Sequence, residues 1–457
     1  MPNALRLLEA ALAVSFAGAG LVRAGLAGTP LAGRALRISL GALAGLAAYS
    51  CSYAVALFAL GPSARVMLSK DILLIAAGAL ALLAGAPKRA PGPPPDRVLL
   101  VLFAAAAVIV LTLFVEHSLR YPDGGEDAWG IWNLRARWLA RAGPGFLSAF
   151  SPKLLFWTHQ DYPLLLPGLV AQGFLAAGES PAVPALVALL FAGASVATLA
   201  SAIAALRGPG QGLAAGLALL TTPCFLIFAA NQQADVPLGS FELAAAALVA
   251  LGLASDAPRS FVLAGFFASA GGWTKNEGAV DALALFAALL ITSGPGRTGR
   301  AIRFALGALP IALLVAWFKL DVAAGNDLVR FNSAQAAVQH LADGARWLEL
   351  GLASLRRLFY FQNWGFYLIA LAVLVAARFR QVLRDRTAAT LAVSVALSWV
   401  VLAAMYQTQP HPLLWFFRAS IDRMLNHSWP TVLLIAALVL PGAPGPPPTE
   451  AHDDFGR

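Results

Sequence analysis

With 457 residues, 59% of them hydrophobic and only 12% charged, and a mean hydropathy of +0.73, the chain departs far from soluble domains, which carry about 25% charged residues. The formal charge of +9 does not point to nucleic acid, because the arginines sit in short loops between apolar runs, where retention on the cytoplasmic side of a membrane accounts for them. The two cysteines, Cys51 and Cys224, lie in or at the edge of apolar runs and read as small hydrophobes, not as a disulfide.

Strands would leave unpaired edges in lipid, so apolar runs of this length predict an all-α polytopic membrane protein. In chain order the runs are 5–27, 36–60, 70–86, 98–116, 184–206, 212–229, 237–254, 259–274, 278–293, 302–320, 363–378, 388–405 and 429–441, roughly thirteen by the length needed to cross. The first has the look of a signal peptide, with Arg6 ahead of an apolar stretch, but Glu9 lies inside it and more spans follow at once, which favours a retained helix. The Pro-rich stretch GAPKRAPGPPPD (85–96) marks a boundary between a three-span N-terminal extension, residues 1–90, and a core, residues 91–441. The polar, Pro-rich end of the chain predicts a disordered cytoplasmic tail over 442–457.

Four polar clusters interrupt the apolar sequence. Ionisable groups are expensive near a bilayer, so each is a candidate for chemistry. GGEDAWGIWNLRARW (124–138) opens a predicted interfacial helix over 126–141, with Ile131, Leu134 and Trp138 on one face and Arg135, Arg137 and Arg141 elsewhere. Glu126 and Asp127 lie at its start, where the helix dipole favours a carboxylate able to accept a proton. Helix capping accounts for the same pair, and Trp129 and Trp132 fit interface anchors as well as sugar platforms. In HQDYP (159–163) His159 and Asp161 flank one residue of a pre-proline stretch, a spacing that suits a proton carrier with its orienting acid, a metal pair or a structural turn. Residues 162–178 are apolar but short and contain Pro163 and Pro167, so they read as a re-entrant or interfacial helix.

NQQADVP (231–237) places Asp235 at the end of one span and Pro237 in the first turn of the next. Glu242, seven residues on, shares its face deeper in the membrane and calls for a basic partner. WTKNEG (273–278) supplies Lys275, a candidate for that charge or a snorkelling lysine, followed by Glu277 and Asp281 at i,i+4. FFRASIDRMLNHSWP (416–430) carries Arg418, Asp422, Arg423 and His427 in a loop expected over 406–428, where an anion-binding arginine competes with ordinary loop charge.

Basic residues in short loops (Arg34 and Arg37; Lys88, Arg89 and Arg97; Arg207; Arg259; Arg297, Arg300 and Arg303; Arg378, Arg380, Arg384 and Arg386) all fall on one side of the predicted spans. That side is expected to be cytoplasmic, with the N-terminus external and the C-terminus inside. The same count puts every polar cluster on the external face of an inner, plasma-type membrane.

The order GEDAWGIWNLRARWL, HQDYPLLLPGL, ADVPL, TKNEG and SIDRMLNHSWP resembles the GT-C membrane glycosyltransferases, and within them the bacterial branch similar to protein mannosyltransferases and lipid A aminoarabinose transferases. The resemblance covers about residues 98–441 by motif order. It implies a polyprenyl-phosphate sugar donor, an external active site and a base in the first large external loop, which falls on Asp127 with Glu126 beside it and Asp123 close by. It places Asp235 as a donor or metal contact, so a divalent metal ion between Asp127 and Asp235 stays open, and Lys275 and Arg423 as phosphate ligands. His159, Asp161 and Glu277 remain substrate or metal candidates. The family's large soluble external domain is absent after the last span, which points to a small or lipid acceptor alongside the glycan and protein acceptors the resemblance allows.

The expected activity is therefore inverting transfer of a sugar from a lipid phosphate to an acceptor hydroxyl. A transporter or flippase of lipid-linked sugars is the rival, but such proteins place substrate near the midplane, between repeated halves. Here the charges crowd one face.

Overall fold

The computed structural model describes residues 3–27, 29–83, 96–154, 158–323, 325 and 333–441, and contains helices and no strand among them. The predicted linker, apart from Asp96, and the predicted tail over 442–457 lie outside the described residues. In chain order the helices are α1 (Asn3–Gly25), α2 (Arg34–Leu60), α3 (Ala64–Leu83), α4 (Arg97–Arg120), a π-turn (Ala128–Trp132) running into α5 (Asn133–Arg141), a 3-10 segment (Gly143–Phe150), α6 (Leu165–Ala177), α7 (Ala182–Arg207), α8 (Pro209–Leu220) and α9 (Pro223–Ala230). There follow α10 (Asp235–Ser255), α11 (Pro258–Thr274), α12 (Asn276–Thr292), α13 (Arg297–Trp317) with a π-turn (Phe318–Val322), α14 (Ala334–Ala342), α15 (Gly344–Arg357), α16 (Phe361–Trp364), α17 (Tyr367–Arg384), α18 (Arg386–Thr408) and α19 (Leu413–Val439).

The expected spans fall on helices, with 212–229 divided between α8 and α9 and 429–441 on the second part of α19, but fewer qualify as full crossings. Among the described residues eight helices are long and apolar enough, or nine if α8 and α9, bent by 60°, count as one broken span. The others fall short for visible reasons. α11 and α12 have 17 residues each, below the ~20 that a perpendicular crossing needs, and α17 and α19 carry several charged residues. The α8–α9 break follows from Pro223, which has no N–H to continue the ladder of α8. α6, at 13 residues and largely buried, is the short helix expected over 162–178.

Two expectations are corrected. The sequence FFRASIDRMLNHSWP is not a loop: it forms the first half of α19, which continues through Pro430 to Val439. In the segment 126–141 Arg135 does not point outward with Arg141: α5 packs on α6 and the Arg135 side chain is buried, while Arg141 is exposed. The backbone carbonyls of the following loop replace water around the Arg135 guanidinium.

α10 is the central pillar, with 89% of its apolar window buried, against 6% for α4, which faces lipid. It packs on α7, α11 and α19. Without a hydrophobic drive between helices in lipid, small residues let backbones approach closely. Gly18 and Gly45 seat α1 and α2 on one another, Gly265 and Gly307 do the same for α11 and α13, and Gly278 on α12 rests on the Gly271 carbonyl of α11. This last contact closes a tight hairpin whose turn is Lys275, in extended conformation with φ −148° and ψ 163°. At the far end of the bundle Arg207 lies 3.7 Å from Asp385 and also donates to the Leu438 carbonyl. Several of the expected basic-loop residues therefore gather opposite the polar clusters.

A Cβ at position 278 would overlap the Gly271 backbone. Gly278→Ala is expected to destabilise the chain by about 1–3 kcal/mol, the usual cost of overpacking, and to lower the thermal midpoint in detergent. An unchanged midpoint would show that the hairpin adapts at no cost.

Candidate functional site

The N-terminus of α10 and the α11–α12 turn bring Asp235 and Lys275 together. The lysine Nζ donates to Asp235 Oδ1 at 2.9 Å, and both side chains have no exposed surface. Glu277, in the first turn of α12, has an oxygen 3.4 Å from the same ammonium. A fully buried lysine is tolerable only with such partners, because an uncompensated ion in low dielectric costs several kcal/mol.

α19 completes the group. Arg423 and His427, four residues apart and so on one helical face, both turn to α10. His427 Nε2 is 2.6 Å from Asp235 Oδ1, and Arg423 Nε is 3.4 Å from Oδ2. The approach is close because Gly239, one turn into α10, lies under the α19 backbone, where a Cβ would be 2.7 Å from the His427 carbonyl oxygen. The other end of the guanidinium reaches Asp127, with Nη2 to Oδ2 at 2.5 Å. Asp127, Arg423, Asp235, Lys275 and Glu277 thus form one line of alternating charge, buried at Lys275 and partly open at Asp127 and Arg423.

Docking of the first cluster on the third delivers Asp127 to this line. The Gly125 N–H donates to the Asn231 carbonyl at 2.9 Å, His117 Nε2 is 2.8 Å from Asn231 Oδ1, and Asn133 Nδ2 donates to Gln232 Oε1 at 2.9 Å. Gly124 sits at φ +76°, with the Asn231 carbonyl against the place a Cβ would take, so this position suits glycine alone. Glu126 is exposed, and Asp123 pairs with Arg137 at 2.5 Å. Of the three acids, Asp127 is the one turned to Arg423.

The HQDYP segment forms a wall beside it. Arg135 donates to the carbonyls of Thr158 (2.8 Å), His159 (2.6 Å) and Tyr162 (2.8 Å) and thereby fixes the loop. Burial pushes this guanidinium down to about 10, with Asp161 opposing the shift. His159, at φ +44°, stacks on Tyr162, which stacks in turn on Trp132, while Trp129 is exposed. Burial, with the Glu277 carboxylate, holds the Tyr162 phenol well above its ordinary value, so it stays protonated. Asp161 accepts from Asn276 Nδ2 at 2.7 Å and from Lys319 at 3.3 Å. Lys319 also donates to Asn276 Oδ1 at 2.5 Å, which ties the loop to the residue after Lys275. Lys319 and Asn276 were missed in the sequence; a lysine inside the apolar run WFKLDV was the available signal.

Asp422 and Arg418 stay apart from this line. Asp422 accepts from Asn363 at 2.7 Å and Trp364 at 2.8 Å and pairs with Arg357, while Arg418 is exposed. A divalent metal between Asp127 and Asp235 does not fit this arrangement. The facing oxygens are engaged by Arg423, Lys275 and His427, and no group of three or more metal-binding side chains forms among the described residues.

With this geometry in view, a family model described as dolichyl-phosphate-mannose-protein mannosyltransferase matches residues 161–318. The matched stretch includes Asp161, Asp235, Lys275 and Glu277, whereas Asp127 and Arg423 lie outside it. The match supports a membrane glycosyltransferase of the GT-C type. No curated protein and no solved structure matches the chain.

Lys275→Met strands Asp235 between Arg423 and His427, and Asp235→Asn leaves Lys275 buried beside Glu277 alone. Each is expected to cost about 3–5 kcal/mol, and the double variant less than the sum. Denaturation midpoints of the four proteins in one detergent measure the coupling, and simple additivity would show that the pair is not a unit.

Proposed function

We propose that the chain transfers a sugar from a polyprenyl-phosphate donor to an acceptor hydroxyl, with inversion, at the external face of the plasma membrane. The line of alternating charge from Asp127 through Arg423 to Asp235 and Lys275 carries this reading. The acceptor oxygen attacks the anomeric carbon, the bond from that carbon to the phosphate oxygen breaks, the phosphate leaves with the electron pair, and the acceptor proton passes to Asp127.

Arg423 has two roles in this scheme. Before donor binds, it holds Asp127 at 2.5 Å, so that carboxylate oxygen is occupied. A donor phosphate competes for the guanidinium, for which a phosphate is a fitting partner, and frees Asp127 as the leaving group is engaged. Lys275 has no exposed surface, so it meets the phosphate only where the phosphate takes the place of Asp235; otherwise it acts by holding Asp235 against Arg423. Tyr162, His159 and Trp132 form a stacked aromatic wall suited to a sugar face, and no step requires a metal. Glu126, exposed and without a cation, is the lesser candidate for base.

The N-terminus is external and the C-terminus cytoplasmic in this proposal, and residues 1–90 form an extension beside a core of 91–441. A transporter of lipid-linked sugars is less well supported, because the line of alternating charge gathers at one end of the helices.

Membranes carrying the wild-type chain or Asp127→Asn, incubated with labelled polyprenyl-phosphate sugars, test the proposal. Asp127→Asn is expected to lower transfer by about 10²–10⁴ with the helical fold retained, the range for loss of a general base. Arg423→Gln is expected to raise KM for the donor. Equal transfer by wild type and Asp127→Asn removes the base assignment, and transport of label across the membrane without transfer favours the rival.

A further inference from the structure

The sequence calls for a basic partner to Glu242, but the group that faces it is a second acid. Glu242, seven residues along α10 from Asp235, and Asp281, four residues along α12 from Glu277, line one small cavity between α10, α12, α18 and α19. The cavity measures about 40 Å³, and the remaining polar lining consists of the hydroxyls of Ser394, Ser398, Ser428 and Thr431. That volume admits a bare ion with a water or two. It is far too small for a sugar or a lipid headgroup, and it lies outside the charge line described above.

Three observations point to a bound cation. Thr431 is 6% exposed and lines the cavity, yet its Oγ1 has no hydrogen-bond partner among the described residues. A buried hydroxyl left so costs about 1–3 kcal/mol. Glu242 Oε1 is likewise unpartnered, although serine and threonine donors share its cavity. The polar lining is all oxygen, without nitrogen or sulfur, which is the donor chemistry of hard cations.

Charge and size favour a monovalent ion. Two acidic side chains in one small cavity repel each other, and Lys275 is engaged by Asp235 and Glu277. α18 and α19 contribute only hydroxyls to the polar lining. A monovalent cation offsets that repulsion without the full set of charged ligands that a dehydrated divalent ion demands.

We propose that this cavity is a binding site for one Na⁺ ion, held by Glu242, Asp281, Thr431 and the neighbouring serine hydroxyls. The ion offsets the repulsion between the two carboxyl groups and gives the unpartnered Thr431 hydroxyl a ligand. It braces α10 and α12, the two helices that carry Asp235 and Glu277, against α18 and α19.

The purified full chain in detergent tests this by its thermal midpoint in NaCl and in N-methyl-D-glucamine chloride at equal ionic strength. At about pH 7.5 Na⁺ is expected to raise the midpoint by about 3 °C or more, as a ligand specific to the folded state does. The rise should be absent in Asp281→Asn and Thr431→Val. Calorimetric titration of NaCl into Na⁺-free wild-type protein should give one saturable site per chain, a reading that does not depend on how the variants fold. Equal midpoints in the two salts, the same rise in Asp281→Asn, or no saturable heat would overturn the site. None of these results bears on the Asp127 transfer assay.

Discussion

A lysine ammonium with no exposed surface must be neutralised where it lies, and in this chain that requirement joins three separate parts of the bundle. Lys275 is the turn of the α11–α12 hairpin, Asp235 the start of α10, and His427 and Arg423 come from α19. Hydrophobic packing alone would let these helices slide, since lipid is as apolar as leucine. A desolvated charge is far less tolerant, because each unmet ion costs several kcal/mol. The ion pair therefore sets the depth of three helix ends relative to one another.

What faces outward from that pair depends on it. Asp235 fixes one end of the Arg423 guanidinium, and the opposite end is left for Asp127. The supports on the other side are backbone contacts: Gly125 on Asn231, and Arg135 on three carbonyls of the 158–162 loop. The movable element is thus one arginine side chain between rigid walls, an arrangement in which an anion can exchange for a carboxylate without displacement of a helix. The glycines at 239 and 278 belong to the same design, since they allow the approach that the charges require.

Beneath this line the polar character continues inward through Glu242 and Asp281. α10 and α12 each carry an acid near the helix start and another one or two turns deeper. The upper acids meet cations, and the lower ones line one cavity with serine and threonine hydroxyls.

Much of this was legible in the sequence. Apolar runs long enough to cross a bilayer determined an all-α multi-pass protein, and the cost of charge in lipid marked the clusters that hold Asp127, Asp235, Lys275 and Glu277 and the later stretch that holds Arg423. Linear patterning works there because hydropathy is a property of each segment by itself. It failed where a segment's environment is made by another segment: the first half of α19 was taken for a loop, Arg135 for a surface charge, and the partners of Asp161 on Asn276 and Lys319 were not foreseen. Only the tertiary structure decided which charge meets which, that Glu242 faces an acid, and that Asp127 and not Glu126 turns to Arg423. Such pairings depend on ångström distances between residues far apart in the chain, which the order of residues does not encode locally.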